Sequence, residues 1–366
     1  MKLSLLSATA LTLGASTAFA GGLDRTGSPI GILFEEGNYI EFTASRTNPS
    51  LSGSDLATGG STGDVGLSYN SYSGSMKMDI NDQFSFALIL SDPYGADINY
   101  PVQATSAFLG GTSVDATATA LDMIGRYKFN DNVSVHGGLR VQKASADINL
   151  AGAGYGPLNG YTVSLDEQYT ANAIVGAAYE IPDIAMRVAL TYFSAAKFDF
   201  DGTESLGGGA SNTYTVDTKL PQSINLDFQT GIAADTLLFG GIRWAEWSST
   251  KVKTSNIYGG TDLVELPDAT TYRLGVGRRF NDTWSGSLSV AYEPSNSNDL
   301  VSPLAPTNGS ATVAAGLEYT RDNMKIGFGV GYTELGNAYA QTADTERAYF
   351  SGNHAVTFAT RIGFYF

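Results

Sequence analysis

Apolar and polar residues alternate with a period of two over much of this chain. In 222–232 the even positions are Ile224, Leu226, Phe228, Thr230 and Ile232, against Ser223, Asn225, Asp227, Gln229 and Gly231. Segment 133–141 sets Val133, Val135, Gly137, Leu139 and Val141 against Ser134, His136, Gly138 and Arg140. Segment 324–332 sets Met324, Ile326, Phe328, Val330 and Tyr332 against Lys325 and three glycines. Successive side chains of a strand point to opposite faces, so each segment predicts a strand with one apolar face and one polar or small face. The same pattern predicts fourteen strands, near 37–47, 65–79, 83–100, 117–129, 133–148, 167–180, 183–200, 214–232, 236–252, 268–280, 283–293, 310–320, 324–335 and 353–366.

The connections alternate in length. Short ones rich in Asn and Asp, such as Asn81-Asp82, Asn130-Asp131-Asn132, Asn281-Asp282 and Asp322-Asn323, suit tight turns, because both residues tolerate positive φ and bond their own backbone. Long ones near 48–64, 101–116, 149–164, 201–213, 253–267, 294–309 and 336–352 are rich in Gly, Ser, Thr and Pro. An even strand number, with short turns at one rim and long loops at the other, predicts an all-β fold: a 14-stranded antiparallel transmembrane β-barrel of the bacterial outer membrane. A soluble β-sandwich does not account for one-sided loop lengths. Phe84, Phe129, Phe280 and Trp284 stand beside short turns, as an interfacial girdle does. The turns also predict inward cross-strand pairs: Asp122 with Arg140, Arg126 with His136, Asp227 with Arg243, and Glu318 with Lys325.

One strand is interrupted. Phe84, Phe86, Leu88 and Leu90 form an apolar face, then Asp92, Pro93, Tyr94 and Gly95 intervene before the strand resumes. Proline gives no N–H to a ladder and an interior glycine weakens a strand. Unsatisfied backbone in lipid is costly, so a break in a membrane wall predicts a lateral gate.

Composition adds exclusions. A formal net charge of −15 argues against nucleic-acid partners. There are no cysteines, hence no disulfides. Lys2, an apolar run from Leu3 to Leu13 and Ala18-Phe19-Ala20 predict a secretory signal over 1–20. No later stretch has the ~18 consecutive apolar residues of a spanning helix. The histidines, His136 and His354, have no metal-ligand spacing. Ser134 neighbours His136 without a third member, and Gly207-Gly208-Gly209 precedes no helix. No catalytic residues, metal or cofactor are expected.

Several stretches together resemble the outer-membrane long-chain fatty-acid transporters, the FadL family, which includes channels for aromatic hydrocarbons. They are Asn81-Asp82-Gln83-Phe84 with Asp92-Pro93-Tyr94-Gly95, Tyr127 to Ser134, Leu190-Thr191-Tyr192-Phe193-Ser194 with Lys197 to Gly202, Leu220-Pro221-Gln222, and Trp244 to Ser248. The resemblance implies a barrel (37–366) closed by an N-terminal hatch (21–36), with capture outside, a pocket within and sideways release at the kinked third strand. Arg25, Ser28, Pro29, Ile30 and Phe34 belong to that hatch, which is shorter than the family's, and Arg25 to Ile30 replaces its Asn-Pro-Ala motif. A carboxylate ligand needs a cation to offset its desolvation. Arg140 and Arg243 have predicted carboxylate partners, whereas Arg273 falls opposite Ala291 and is the leading candidate. Lys143 and Lys197 near the outer rim, and Phe108 and Leu109 in a long loop, are candidates for capture. The expected partners are a long-chain fatty acid or other hydrophobic molecule and outer-membrane lipid or lipopolysaccharide. Barrel-assembly machinery is expected to read the strand ending at Phe366, and the chain is expected to act as a monomer. The alternatives are a general diffusion porin, with an open aqueous lumen, and an aromatic-hydrocarbon channel of the same architecture.

Overall fold

The structure, a computed structural model, describes residues 23–297 and 299–366. The predicted signal and the first two residues of the predicted hatch lie outside them. The wall strands are β1 (Tyr39–Ser50), β2 (Tyr69–Asp79), β3 (Phe84–Asn99), β4 (Ser113–Lys128), β5 (Val133–Leu150) and β6 (Tyr161–Ile181). β7 runs in two pieces, Met186–Phe193 and Ala196–Leu206, and so does β8, Asn212–Leu220 and Ser223–Ala233. β9 (Thr236–Ala245), β10 (Ala269–Arg279), β11 (Trp284–Glu293), β12 (Ser310–Arg321), β13 (Met324–Leu335) and β14 (Asn353–Tyr365) follow. Each pairs antiparallel with its neighbours in sequence and β14 pairs with β1, so the fourteen strands close.

The short turns use two devices. Asn81, Asn130 and Asn281 each accept two backbone N–H bonds from residues two and three ahead. The other three turns place Ala185, Asp235 and Asp322 at positive φ. These turns fix the registers and correct two predicted pairs. Asp122 does face Arg140, and Arg126 faces His136. Asp227, however, faces Gly241, and Arg243 faces Asn225, because Ala233 pairs with Thr236 around a tight turn and the ladder shifts beside it. Glu318 faces Gly327, and Lys325 faces Thr320, because Arg321 pairs with Met324. β9 also ends at Ala245 instead of running to 252; Trp247–Ser249 turns inward as a single 3-10 turn.

Exposed apolar side chains such as Leu139, Val175, Leu274, Val313 and Phe358 make a belt around the wall. Phe84, Phe129, Phe280 and Trp284 are exposed near the short-turn rim, and Tyr72, Tyr169, Tyr272, Tyr292 and Tyr332 are exposed farther along their strands. Inside, the lumen is filled from the short-turn end. Residues 23–38 run within it, and Ile30, Ile32 and Leu33 pack on Ala87, Ile89, Ile124, Ile174 and Phe193. The Phe34 ring lies between the Arg126 and Arg187 guanidiniums, at 4.5 and 4.2 Å. Glu35 accepts from Tyr365 at 2.6 Å and from Lys325 at 3.5 Å.

At the other end, three loops contain strands the sequence pattern did not predict. Ser52–Asp55, Ser61–Asp64, Leu300–Val301, Ala338–Thr342 and Thr345–Phe350 form a separate five-stranded sheet that caps the barrel. Asp55 ties the 101–112 loop to this cap, accepting from Ser106 Oγ at 2.8 Å and Phe108 N at 2.9 Å. Burial pushes the Asp55 carboxyl up. The N–H and O–H bonds from Phe108, Ser106, Thr58 and Ala57 outweigh it and hold the group below the usual carboxylate range.

Candidate functional site

The predicted break in β3 is a break in pairing with β2. β3 stays paired to β4 on its other side, with a register shift between Ser91 and Tyr94. Its ladder with β2 stops at Leu90 opposite Gly74. The chain rejoins β3 only beyond the break, where Gly66 meets Ile98. In between, the Asp92 carboxylate stands in for the missing ladder. It accepts from Tyr72 N at 3.2 Å and from Thr119 Oγ1 at 3.1 Å, so it spans the strands on both sides.

The freed edge of β3 is taken by the N-terminal segment. Gly95 N donates to Leu23 O and Arg25 N to Pro93 O, both at 2.8 Å. Proline suits this place because its carbonyl is used and the missing N–H is not. Arg25, though buried, is paired with Asp97 and lies 4.3 Å over the Tyr69 ring. Gly95 makes room for it, since a Cβ there would collide with the guanidinium. The guanidinium therefore fills the slot between β2 and β3. On the lipid side, exposed Leu90 and Tyr72 flank the slot. Behind it, Asp24 holds Arg243 at 2.8 Å and Trp247 Nε1 at 3.3 Å, and the Trp247 ring meets Tyr94 edge-on at 5.2 Å.

An apolar cavity of about 90 Å³ opens against this slot. Inward positions of β4 and β5 carry Ala116, Ala118, Ala144 and Ala146, so the wall leaves space where larger side chains would meet. Leu165, Phe200 and Leu220 face them; the loop after β9 adds Val252, Val264 and Leu266, and the loop after β11 adds Leu304. Leu23, Tyr94, Gly95 and Ala96 line it on the side of the slot, and the hydroxyls of Thr117, Ser145, Thr218 and Thr250 are the polar side-chain groups of the lining besides Tyr94. Among the described residues, none that lines the cavity is charged.

A second interruption borders the same cavity. β6 and β7 are laddered over 161–165 with 202–206 and over 174–181 with 186–193. The residues between are joined by Ser194 N donating to Ala173 O at 2.9 Å and by a 3.4 Å Gln168–Asp201 bond. Outside this split stand exposed Glu167, Lys197, Asp199 and Asp201.

The basic candidates are differently placed. Arg140 binds Asp122 through two 2.6 Å hydrogen bonds and donates to Ser28 Oγ at 3.0 Å. Arg243 binds Asp24. Arg273 does face Ala291, but it is compensated: its Nη2 lies 3.2 Å from Asp227, straight across β9 over Gly241. Lys143 pairs with Glu167 at 2.7 Å on the outer face, where Lys197 is also exposed beside Lys219; neither lysine faces the cavity. Leu109 is fully buried and Phe108 lies half-buried under Arg347, 5.0 Å from its guanidinium. Of the hatch candidates, Arg25 reaches the slot, Ser28 meets Arg140, and Pro29, Ile30 and Phe34 line a smaller pocket near Arg187 and Arg273. Ser134 accepts from Arg126 Nε at 3.0 Å and His136 Nε2 bonds Thr191, so serine and histidine are separately engaged. Among the described residues no group of three metal-ligating side chains converges. The sequence reading missed Leu23, Asp97, Tyr69 and Trp247, and it missed the alternating inward alanines, which were legible as a run of small residues.

A family model described as outer membrane protein transport protein (OMPP1/FadL/TodX) matches residues 38–362. Among solved structures, a Pseudomonas aeruginosa FadL homologue aligns with a TM-score of 0.74 at 15% identity, covering 92% of each chain. The Pseudomonas putida toluene transporter TodX aligns with a TM-score of 0.68 at 15% identity, covering 97% of this chain and 99% of its own. The Ralstonia pickettii toluene transporter TbuX aligns with a TM-score of 0.63 at 13% identity, covering 90% of each. At these identities the likeness establishes the fold. No curated protein matches.

Proposed function

Because the chain belongs to the outer membrane transport protein family (OMPP1/FadL/TodX), we propose that it is a passive channel for small uncharged hydrophobic compounds, which rest in the apolar cavity and leave sideways between β2 and β3 into the bilayer. The observation that carries this reading is that the cavity lining includes Tyr94, Gly95 and Ala96, the residues at the unpaired edge of the wall. Transfer of a compound from water into such a lining is favourable at roughly 0.8 kcal/mol per buried CH₂. Release into lipid then needs displacement of the Arg25 guanidinium and of the Leu23–Arg25 backbone that lies on the β3 edge. Residues 23–38 act as the hatch and floor, so a compound does not continue down the lumen.

The lining also bears on the cargo. A carboxylate entering it would meet no cation, and Arg140, Arg243 and Arg273 already hold Asp122, Asp24 and Asp227. This favours a compact neutral compound, an aromatic hydrocarbon or similar, over the long-chain fatty acid implied by the sequence resemblance. The cavity is of the order of engineered apolar cavities that bind benzene. The test is uptake of labelled toluene and of labelled oleate by cells lacking their own transporter, alongside conductance in a planar bilayer. Hydrocarbon uptake without steady conductance is expected. Large ohmic conductance without uptake would replace this reading with a diffusion porin, and uptake confined to oleate would restore the fatty acid.

A further inference from the structure

The cavity lining is apolar but for a few side chains, and two of its hydroxyls are unusual. Thr218 projects inward from the outer piece of β8, and Thr250 lies in the loop after β9. Both line the cavity. Both Oγ1 atoms are shut off from solvent, and among the described residues no protein atom hydrogen-bonds either of them; the Thr250 residue is only 4% exposed. Thr26, Tyr155 and Ser223 also carry an unpaired buried hydroxyl but do not line this cavity, and several other buried hydroxyls of the barrel are paired. Thr47 bonds Thr357, Thr312 bonds Thr333, and Thr191 bonds His136, each at 2.9 Å. Buried polar groups are nearly always paired, and an unmade bond costs more than a made one gains. A cavity shaped for hydrocarbon alone is served better by valine at these positions, which has the same outline without the polar atom.

We propose that Thr218 and Thr250 form a polar subsite that selects uncharged hydrophobic compounds carrying one hydroxyl or carbonyl group. The inference rests on the channel reading above and narrows its substrate class. A hydroxyl serves as donor or acceptor as its hydrogen rotates, so either threonine bonds a phenolic or alcoholic O–H, or donates to a carbonyl oxygen. The remainder of such a ligand is held by the alanines of β4 and β5 and by Phe200 and Leu266. A carboxylate remains excluded, because two neutral hydroxyls do not offset the desolvation of a full charge. A ligand lacking the polar group leaves the hydroxyls unpaired, which is the basis on which such sites discriminate.

The test compares 4-methylphenol with 1,4-dimethylbenzene, molecules of nearly the same shape, both neutral at pH 7. Binding to the purified protein in detergent is measured for wild type, Thr218→Val/Thr250→Val and Thr218→Ser/Thr250→Ser, with the heat-modified gel shift of the barrel as the folding control. Wild type is expected to bind the phenol more tightly than the hydrocarbon. The valine variant should lower the phenol-to-hydrocarbon affinity ratio by about tenfold, with the hydrocarbon bound somewhat more tightly, and the serine variant should keep the wild-type ratio. Equal affinities in wild type, or a ratio unmoved by valine, overturns the polar subsite while the channel reading stands. Wild type binding neither probe overturns the channel reading and this inference with it.

Discussion

The wall is interrupted twice beside one cavity, and the two interruptions are built differently. Between β2 and β3 the free edge is satisfied by foreign backbone, Leu23 to Arg25, and the slot is filled by a side chain that can swing. Its lipid side presents Leu90 and Tyr72. Between β6 and β7 the strands keep one register on either side of the split, since Leu165 faces Gly202 and Ile174 faces Phe193 without any slip. Its outer side presents Glu167, Lys197, Asp199 and Asp201. An apolar compound leaving by the second route must pass charged groups that lose hydration as it goes. By the first route the lipid mouth is apolar and aromatic, Leu90 and Tyr72, and the charges in the slot are already paired or hydrogen-bonded, Arg25 to Asp97 and Asp92 to Tyr72 N and Thr119. A gap in a barrel is thus not in itself an exit. What stands at its mouth and what satisfies its backbone decide whether it is one.

Filling the shared cavity should have the largest effect, because it blocks both routes. Ala118→Phe places a ring where the inward alanines leave space, and hydrocarbon uptake should fall at least ~tenfold while the barrel still shows its heat-modified gel shift. Uptake at the wild-type rate would mean that the cavity is not on the path. Bridging the two interruptions separately comes next. The chain has no cysteine, so a short thiol-bridging reagent acts only where cysteines are introduced. Bridging Tyr72→Cys to Asp92→Cys should reduce uptake several-fold and up to ~tenfold, and bridging Gln168→Cys to Asp201→Cys should change it by less than about twofold. The reverse result moves the exit to the β6–β7 split.

Removing the guanidinium has a smaller effect of opposite sign. Arg25→Ala should raise hydrocarbon uptake about two- to fivefold, because the slot loses the group that fills it, and Asp97→Asn should do so more weakly. Gly95→Ala should behave like Arg25→Ala, since its Cβ takes the space of the guanidinium. This differs from the simplest expectation for a strand-breaking glycine, that a strand former there seals the wall. If all three variants reduce uptake, Arg25 is bracing the slot, not gating it.

Much of the wall was legible because a period of two and tight-turn residues are local signals. The β3 break was legible because Pro93 and Gly95 announce it. The β6–β7 split was not, since 166–173 and 194–201 contain neither glycine nor proline and read as ordinary strand. Register was legible only as far as the turn centre was known. One-residue errors at Asp235 and Asp322 misassigned Arg243 and Lys325, whose carboxylates turned out to come from the N-terminal segment, Asp24 and Glu35. Those contacts join residues some two hundred or more positions apart, and nothing local in the sequence encodes them. Arg273 was singled out for the same reason. Its partner Asp227 lies straight across β9, over Gly241, and the one-residue error at Asp235, which gives Asp227 to Arg243, hides that pairing.

The smallest expected effect separates the two cargo classes most cleanly. Lys197 is exposed outside the β6–β7 split, and Arg273 is tied to Asp227 below the cavity, so neither lies on a path from the cavity through the β2–β3 slot. Lys197→Ala and Arg273→Ala should each leave uptake of labelled toluene within about twofold of wild type, because surface and already paired charges contribute little to a neutral ligand. Oleate makes the same pair of variants a sharper probe. If either variant weakens oleate binding severalfold while toluene uptake stays unchanged, a cation outside the cavity is holding the carboxylate, and the protein carries both classes by different surfaces. If both variants leave oleate unaffected, the paired arginines and outward lysines have no part in capture. Recognition then falls to the uncharged lining between β3 and β8.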